Sequence, residues 1–257
     1  MKKKNQVRAM YFIFCLMMCL PQMQYAKSAK NPRTPGTAIF VMATTQVSPS
    51  ITDKTFTVKK DGLNLEMHIP QFSNLSNSDF EKQVNHYLLK EATKRKKAMI
   101  EMAKSYNKDF IKDGLTPIPF EYIETFSIIP TIYPYYTLEL YQYQYSGGAH
   151  GISELSYINL NQEKNQLLNL ADLFKEDVDY QSIVNELVKQ EIERRQELGE
   201  FFFSGSDGFQ SIGENRPFFI NKDGDLVIVF NVYEIAPYAS GPIYITIPRA
   251  KLIAYLK

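Results

Sequence analysis

The chain has 257 residues, 44% of them apolar and 13% aromatic, which is enough to bury a sizeable core and excludes a disordered protein. Formal charge is +1, but four basic residues sit in the leader; without them about −3 remains, and this excludes the basic footprint of a nucleic-acid binder. Both cysteines, Cys15 and Cys19, fall in the first 20 residues, so the rest of the chain is expected to hold neither a disulfide nor a cysteine-zinc site.

Lys2, Lys3, Lys4 and Arg8 precede an apolar run that ends at Leu20. At about 12 residues the run is short of the roughly 20 needed for a membrane span, so residues 1–26 read as a secretory signal peptide cleaved near Ala26. The alternative is a lipoprotein anchored at Cys19, against which Met17 and Met18 stand where small residues are required. Residues 27–53 are rich in Pro, Ser, Thr and Ala without sustained periodicity and read as a linker or mobile tail.

Two strands are expected at 54–59 and 63–69, joined by a tight turn at Lys60-Asp61-Gly62 and closed by Pro70. Ser78-Asp79-Phe80-Glu81 is spaced as a capping box with Ser78 at the cap, and Gly114 marks the end of a long helix. Its apolar stripe comprises Phe80, Val84, Tyr87, Leu88, Met99, Met102, Tyr106 and Phe110. The run Lys94-Arg95-Lys96-Lys97 interrupts that stripe and reads as a solvated face, the alternative being a docking patch for anions.

From Phe120 to Ile132 apolar and aromatic residues dominate between prolines, predicting strands at edges or bends. Residues 135–145 alternate most regularly, with Leu138 and Leu140 on one side and Glu139, Tyr141, Tyr143 and Tyr145 on the other. A glycine-histidine turn follows, and strands at 154–160 and 166–170 complete an antiparallel meander. A second helix is predicted over 180–198, capped by Asp177 or Asp179. A hairpin at 217–233 turns on Asn221-Lys222-Asp223-Gly224, a last strand covers 243–247, and a short helix runs over 249–257. Between hairpin and last strand, residues 233–241 expose two tyrosines beside Pro237 and Gly241, in the manner of a contact surface.

The chemistry available is limited. His68, His86 and His150 are scattered over a hairpin, a helix and a turn, so no metal site and no cofactor are expected. Ser146 or Ser153 beside His150 could form the start of a hydrolase site, but neither serine sits in a nucleophile elbow. The simpler role for His150 is to bond the backbone of its own turn, where Gly147, Gly148 and Gly151 supply conformations that other residues resist.

Tyr143-Gln144-Tyr145-Ser146-Gly147-Gly148-Ala149-His150-Gly151, then Tyr157-Ile158-Asn159-Leu160 and Leu168-Asn169-Leu170-Ala171-Asp172-Leu173-Phe174, resemble the RsiV-like family, the lysozyme-binding ectodomains of anti-sigma factors. The later block of Phe219 to Asp225 followed by Tyr233-Glu234-Ile235-Ala236-Pro237-Tyr238-Ala239-Ser240-Gly241 is similar to the same family's hairpin and proline-tyrosine loop. Upstream, the strands ending at Ile69-Pro70 and the helix carrying Asn85 resemble the companion domain that precedes it there and at the front of a secreted peptidoglycan deacetylase. Only eight residues precede the apolar run, so the sigma-binding role of such a protein is not expected here.

The resemblance implies an α+β fold of antiparallel sheet meanders packed against one long and one medium helix. It divides into a companion domain at 54–134 and an RsiV-like domain at 135–257. It further implies a secreted or envelope-facing, non-catalytic binding module with lysozyme or peptidoglycan fragments as partner. Gly147, Gly148, His150, Gly151, Pro237, Tyr238 and Ser240 are the expected contact residues. The rival readings are a cell-wall or glycan hydrolase using His150 and an envelope structural protein. Catalysis needs His150 in a cleft within hydrogen-bond reach of a nucleophile or acid, a scaffold role needs it bonded to its own loop, and a surface shared by the glycine-histidine turn and the proline-tyrosine loop would favour binding.

Overall fold

The computed structural model describes residues 49–257; the expected signal peptide, Cys19 and most of the expected tail lie outside the described residues. The first strand, β1 (Ser50–Lys60), begins inside the stretch expected as tail and pairs antiparallel with β2 (Leu63–Ser73). Asp61 and Gly62 turn the chain with φ of 53° and 83°, the left-handed pair that a two-residue hairpin requires. Leu63, Leu65, Met67 and Ile69 alternate into the core.

β2 does not end at Pro70 as expected but runs on to Ser73. Phe72 donates its N–H to Asn85 Oδ1 at 2.7 Å and accepts from Asn85 Nδ2 at 2.8 Å, on the side of β2 away from β1. Pro70, two residues earlier, faces that same side, where the next strand has already left; its missing N–H breaks no ladder.

Helix α1 (Ser78–Lys112) is capped by Asn77, one residue before the expected Ser78: Asn77 Oδ1 accepts from the N–H groups of Asp79 and Phe80, both at 3.0 Å. Glu81 reaches past the cap to the N–H of Leu75. The buried stripe runs through Phe80, Val84, Leu88, Ala92, Met99, Ala103 and Asn107, so Tyr106 is left outside it and exposed. Small side chains at Ala92 and Ala103 let the helix lie close on the sheet.

Because a helix connects them, β2 and β3 (Phe120–Ile129) run parallel, in a described sheet that is otherwise antiparallel. β4 (Tyr135–Tyr145), β5 (Ile152–Asn161) and β6 (Gln166–Leu168) then add antiparallel strands, giving the order β1-β2-β3-β4-β5-β6. The expected division at residues 134 and 135 falls between β3 and β4, which pair over nine positions.

The basic run on α1 splits by direction. Arg95 turns inward and holds the fully buried Glu124 through two bonds of 2.8 and 2.7 Å, to which Tyr122 and Gln142 add further donors. Lys96 lies over the ring of Phe56 at 4.3 Å. Only Lys94 and Lys97 stay in solvent as expected.

A second, three-stranded antiparallel sheet consists of β7 (Phe218–Ile220), β8 (Leu226–Phe230) and β9 (Ile243–Ile247), with β8 in the middle and buried throughout. One face meets the first sheet where Leu155 and Tyr157 of β5 pack on Val227 and Val229. The other is covered by helix α2 (Tyr180–Glu197) through Val184, Val188 and Ile192; Asp179 caps that helix by accepting from Ser182 N–H at 3.1 Å. The layers are therefore helix, sheet, sheet, helix. The terminal helix α3 (Arg249–Leu252) is shorter than expected; the chain turns through residues 253–255 and Leu256 then bridges Phe174.

Candidate functional site

The β4–β5 connection is held open by its own side chains. Gly147 and Gly148 take φ of 85° and 110°, a region other residues enter only with strain. Tyr145 donates its hydroxyl to the Gly148 carbonyl at 3.1 Å. Gly151 serves differently: a Cβ there would stand 2.5 Å from the Tyr143 ring, so the ring lies directly on bare backbone. His150 Nδ1 sits 2.8 Å from the carbonyl of Gly151, and since a carbonyl only accepts, that nitrogen carries the proton.

What brings the second loop here is an unpaired strand edge. β6 covers β5 only at Asn159, Leu160 and Asn161, so on the side away from β4 the backbone of Leu155 has no strand beside it. Asn231, just past β8 and itself buried, fills the gap: its Oδ1 accepts from Leu155 N–H at 2.7 Å and its Nδ2 donates to Leu155 O at 3.1 Å. One side-chain amide thus imitates a neighbouring strand. Ile235 and Ala236 then bury themselves, and Phe203 N–H bonds the Ile235 carbonyl at 2.9 Å. With its base fixed at these points, the loop presents Tyr233, Glu234, Tyr238, Ala239 and Ser240 to solvent. Pro237 is half-buried and opens a single 3-10 turn, Tyr238–Ser240, closed by the bond from Ser240 N–H to Pro237 O at 2.9 Å.

The two loops meet. The His150 and Tyr238 rings lie 4.9 Å apart at 31°, and Tyr238 in turn lies 5.4 Å from Tyr233 at 34°. The Tyr143 hydroxyl is pushed up by desolvation and by Glu121, with Tyr141, Tyr238 and Tyr145 contributing, which puts these groups in one neighbourhood. An acidic flank adjoins them. Burial, with Glu234 adding, pushes the Glu154 carboxyl up to about 7. Glu234 is also ion-paired with Arg216, whose guanidinium stacks 4.4 Å over Phe230.

Of the expected contact residues, His150 and Tyr238 touch directly. Gly147, Gly148 and Gly151 shape the first loop, and Pro237 and Ser240 form the turn that holds Tyr238. Tyr233, one of the two tyrosines expected in the contact loop, joins them, as do Glu154, Asn231 and Glu234, which were not among the expected contact residues. Tyr233 was legible as an exposed aromatic in the same loop, whereas Glu154 reads as an ordinary strand residue and Asn231 carries no pattern at all. The hydrogen bond that His150 makes among the described residues goes to its own turn, and neither Ser146 nor Ser153 bonds the ring. The geometry is that of a shaped, tyrosine-rich surface with carboxylates along one side.

Residues 56–153 match the family model described as Deacetylase PdaC, and residues 171–250 match the one described as Protein of unknown function (DUF3298). The chain is 28% identical over 197 residues to anti-sigma-V factor RsiV of Bacillus subtilis, covering 74% of this chain and 64% of that protein. It is 28% identical over 116 residues to the peptidoglycan-N-acetylmuramic acid deacetylase PdaC of the same organism, covering 45% of this chain and 25% of that protein. It therefore spans less than two thirds of either relative. A crystal structure of a DUF3298 family member from Bacteroides fragilis superimposes with a TM-score of 0.63 at 20% identity, over 82% of this chain and 93% of that one, and shows the shared α+β fold. The chain is homologous to RsiV and carries, in order, a PdaC-type segment and a DUF3298 segment.

Proposed function

We propose that the chain is an extracytoplasmic, non-catalytic binding module whose contact surface is formed by the glycine-histidine turn and the proline-tyrosine loop together. The observation that carries this reading is the contact of His150 with Tyr238, which joins two loops more than 80 residues apart in sequence into one surface. Rigid tyrosines with an apolar face and a polar tip are suited to recognition, since they supply contact area at little cost in side-chain entropy. Their backing by glycines and by Asn231 lets the surface form before a partner arrives.

Lysozyme is the first candidate partner. The resemblance to lysozyme-binding ectodomains suggests it, and the carboxylates of Glu121 and Glu234 beside the tyrosines suit a basic protein. Peptidoglycan fragments are the second candidate. Calorimetric titration of the protein against each tests the proposal: binding to lysozyme is expected, and Tyr238→Ala should weaken it by about 1–3 kcal/mol. Absence of binding to both partners would overturn the reading, and so would a Tyr238→Ala protein that binds as tightly as the parent.

A further inference from the structure

The outward face of α1 carries a second surface that the tyrosine site does not use. Lys90, Lys94, Lys97, Lys104, Lys108 and Lys112 are all exposed. At 100° per residue they fall within an arc of about 80°, directly opposite the stripe that packs on the sheet, and at 1.5 Å per residue they extend over about 33 Å. Glu101 lies among them, and Asp79 at the start of the helix falls in the same arc. Lys94 pairs with Glu91 at 2.7 Å, while the other five lysines have no ion pair among the described residues. α1 is an outermost layer, so nothing described covers this line of charge.

Apolar residues adjoin its end. Ile111 on the last turn and Leu115 just beyond it are exposed, 42% and 58% respectively, although a helix end could have tucked either away. Gly114, with φ of 69°, reverses the chain there, and Leu115 N–H returns to the Phe110 carbonyl at 2.8 Å, which fixes Leu115 beside the last lysines. Lysines in a straight line ending in exposed aliphatic side chains are what a rigid helix needs in order to lie along a flat, anionic, hydrocarbon-backed surface.

We propose that this face of α1 docks the protein on an anionic phospholipid bilayer. A straight cylinder touches a plane along one line, and the lysines occupy that line. The overall charge near −3 does not oppose this, because salt screens charges beyond a Debye length of about 8 Å, less than the helix diameter with its side chains. A linear polyanion in solution would satisfy the lysines too, but it offers nothing to Ile111 and Leu115.

Co-sedimentation with vesicles of the chain without its expected signal peptide, residues 27–257, separates these cases. Vesicles of phosphatidylglycerol and phosphatidylcholine should bind the protein at about 0.15 M salt, where the Debye length is about 8 Å, and pure phosphatidylcholine vesicles should not. At about 1 kcal/mol per lysine near the surface, the triple variant K97Q/K104Q/K108Q should lose roughly 100-fold in affinity for the anionic vesicles. I111Q/L115Q should weaken vesicle binding but leave any binding to soluble poly(glycerol phosphate) unchanged. All five positions are exposed, so both variants are expected to melt as the parent does. Failure to bind anionic vesicles, equal binding by the lysine variant, or binding to the soluble polymer without binding to vesicles would each overturn the proposal.

Discussion

Glu154 on β5 holds its proton further up the pH scale than a carboxyl normally does, because it is largely buried and Glu234 adds like charge. Its folded value of about 7 stands above the ordinary 4.5, so between those values the unfolded chain ionises first. Ionisation in that window costs the folded state, so the stability Glu154 contributes should be greatest below pH 4.5, decline as pH rises to 7, and level off above it. The shift corresponds to about 3 kcal/mol at most. Glu154→Gln removes the ionisation while keeping the shape, so it should flatten that decline and stabilise the protein by about 1–3 kcal/mol at pH 8. Urea unfolding of both proteins at pH 4.5 and pH 8 checks this, and identical pH dependence in the two would refute it. The buried Glu124 is held differently: Arg95, Tyr122 and Gln142 all donate to its carboxyl oxygens.

Between elements, the recurring device is an asparagine that stands in for a strand. Asn85 pairs both backbone groups of Phe72, Asn107 those of Ile118, and Asn231 those of Leu155. Asn231→Ala would leave a buried N–H and a buried carbonyl on β5 without partners, and each orphan costs about 1–3 kcal/mol. The variant is expected to be less stable by about 2–4 kcal/mol, with faster amide exchange at Leu155 and through residues 232–241 than elsewhere. Exchange that rises uniformly over the chain would mean that Asn231 is not the local clasp. Such devices explain the uneven legibility of the elements. β4 was readable to its end residues because alternation extends along its whole length and Tyr145 leads straight into glycines. The parallel pairing of β2 with β3 was not, since no local pattern records which side of a helix the chain returns to. Arg95 was misread for a related reason: its inward turn answers Glu124, 29 residues away on another element. At the site, glycines, histidine and proline announced the two loops, whereas the edge of β5 that brings them together depends on where β6 stops.

At the scale of the molecule, β5 belongs to two cores at once. Ile158 and Leu160 face α1 with Leu138 and Leu140, while Leu155 and Tyr157 face β8, so four consecutive residues from Tyr157 to Leu160 are buried. Polar ties reinforce the join: Asn159 Nδ2 donates to the Phe218 carbonyl at 2.8 Å, and Thr137 holds the other end of that amide at 2.7 Å. The Tyr157 ring meets Phe219 of β7 at 5.2 Å. Removing the second sheet would expose this face of β5 and strand the carbonyls and amides it satisfies, at a cost comparable to the whole stability of a domain. The described region is therefore expected to unfold in one step, although at more than 200 residues it exceeds the size at which single transitions are usual. Urea titrations followed by far-ultraviolet circular dichroism and by tyrosine fluorescence, the chain having no tryptophan, should give one coincident midpoint. Two separated midpoints would show that the sheets fold independently, and the surface shared by His150 and Tyr238 would then depend on a docking equilibrium between them. A single midpoint would make that surface as stable as the fold, leaving it ready-made for a partner.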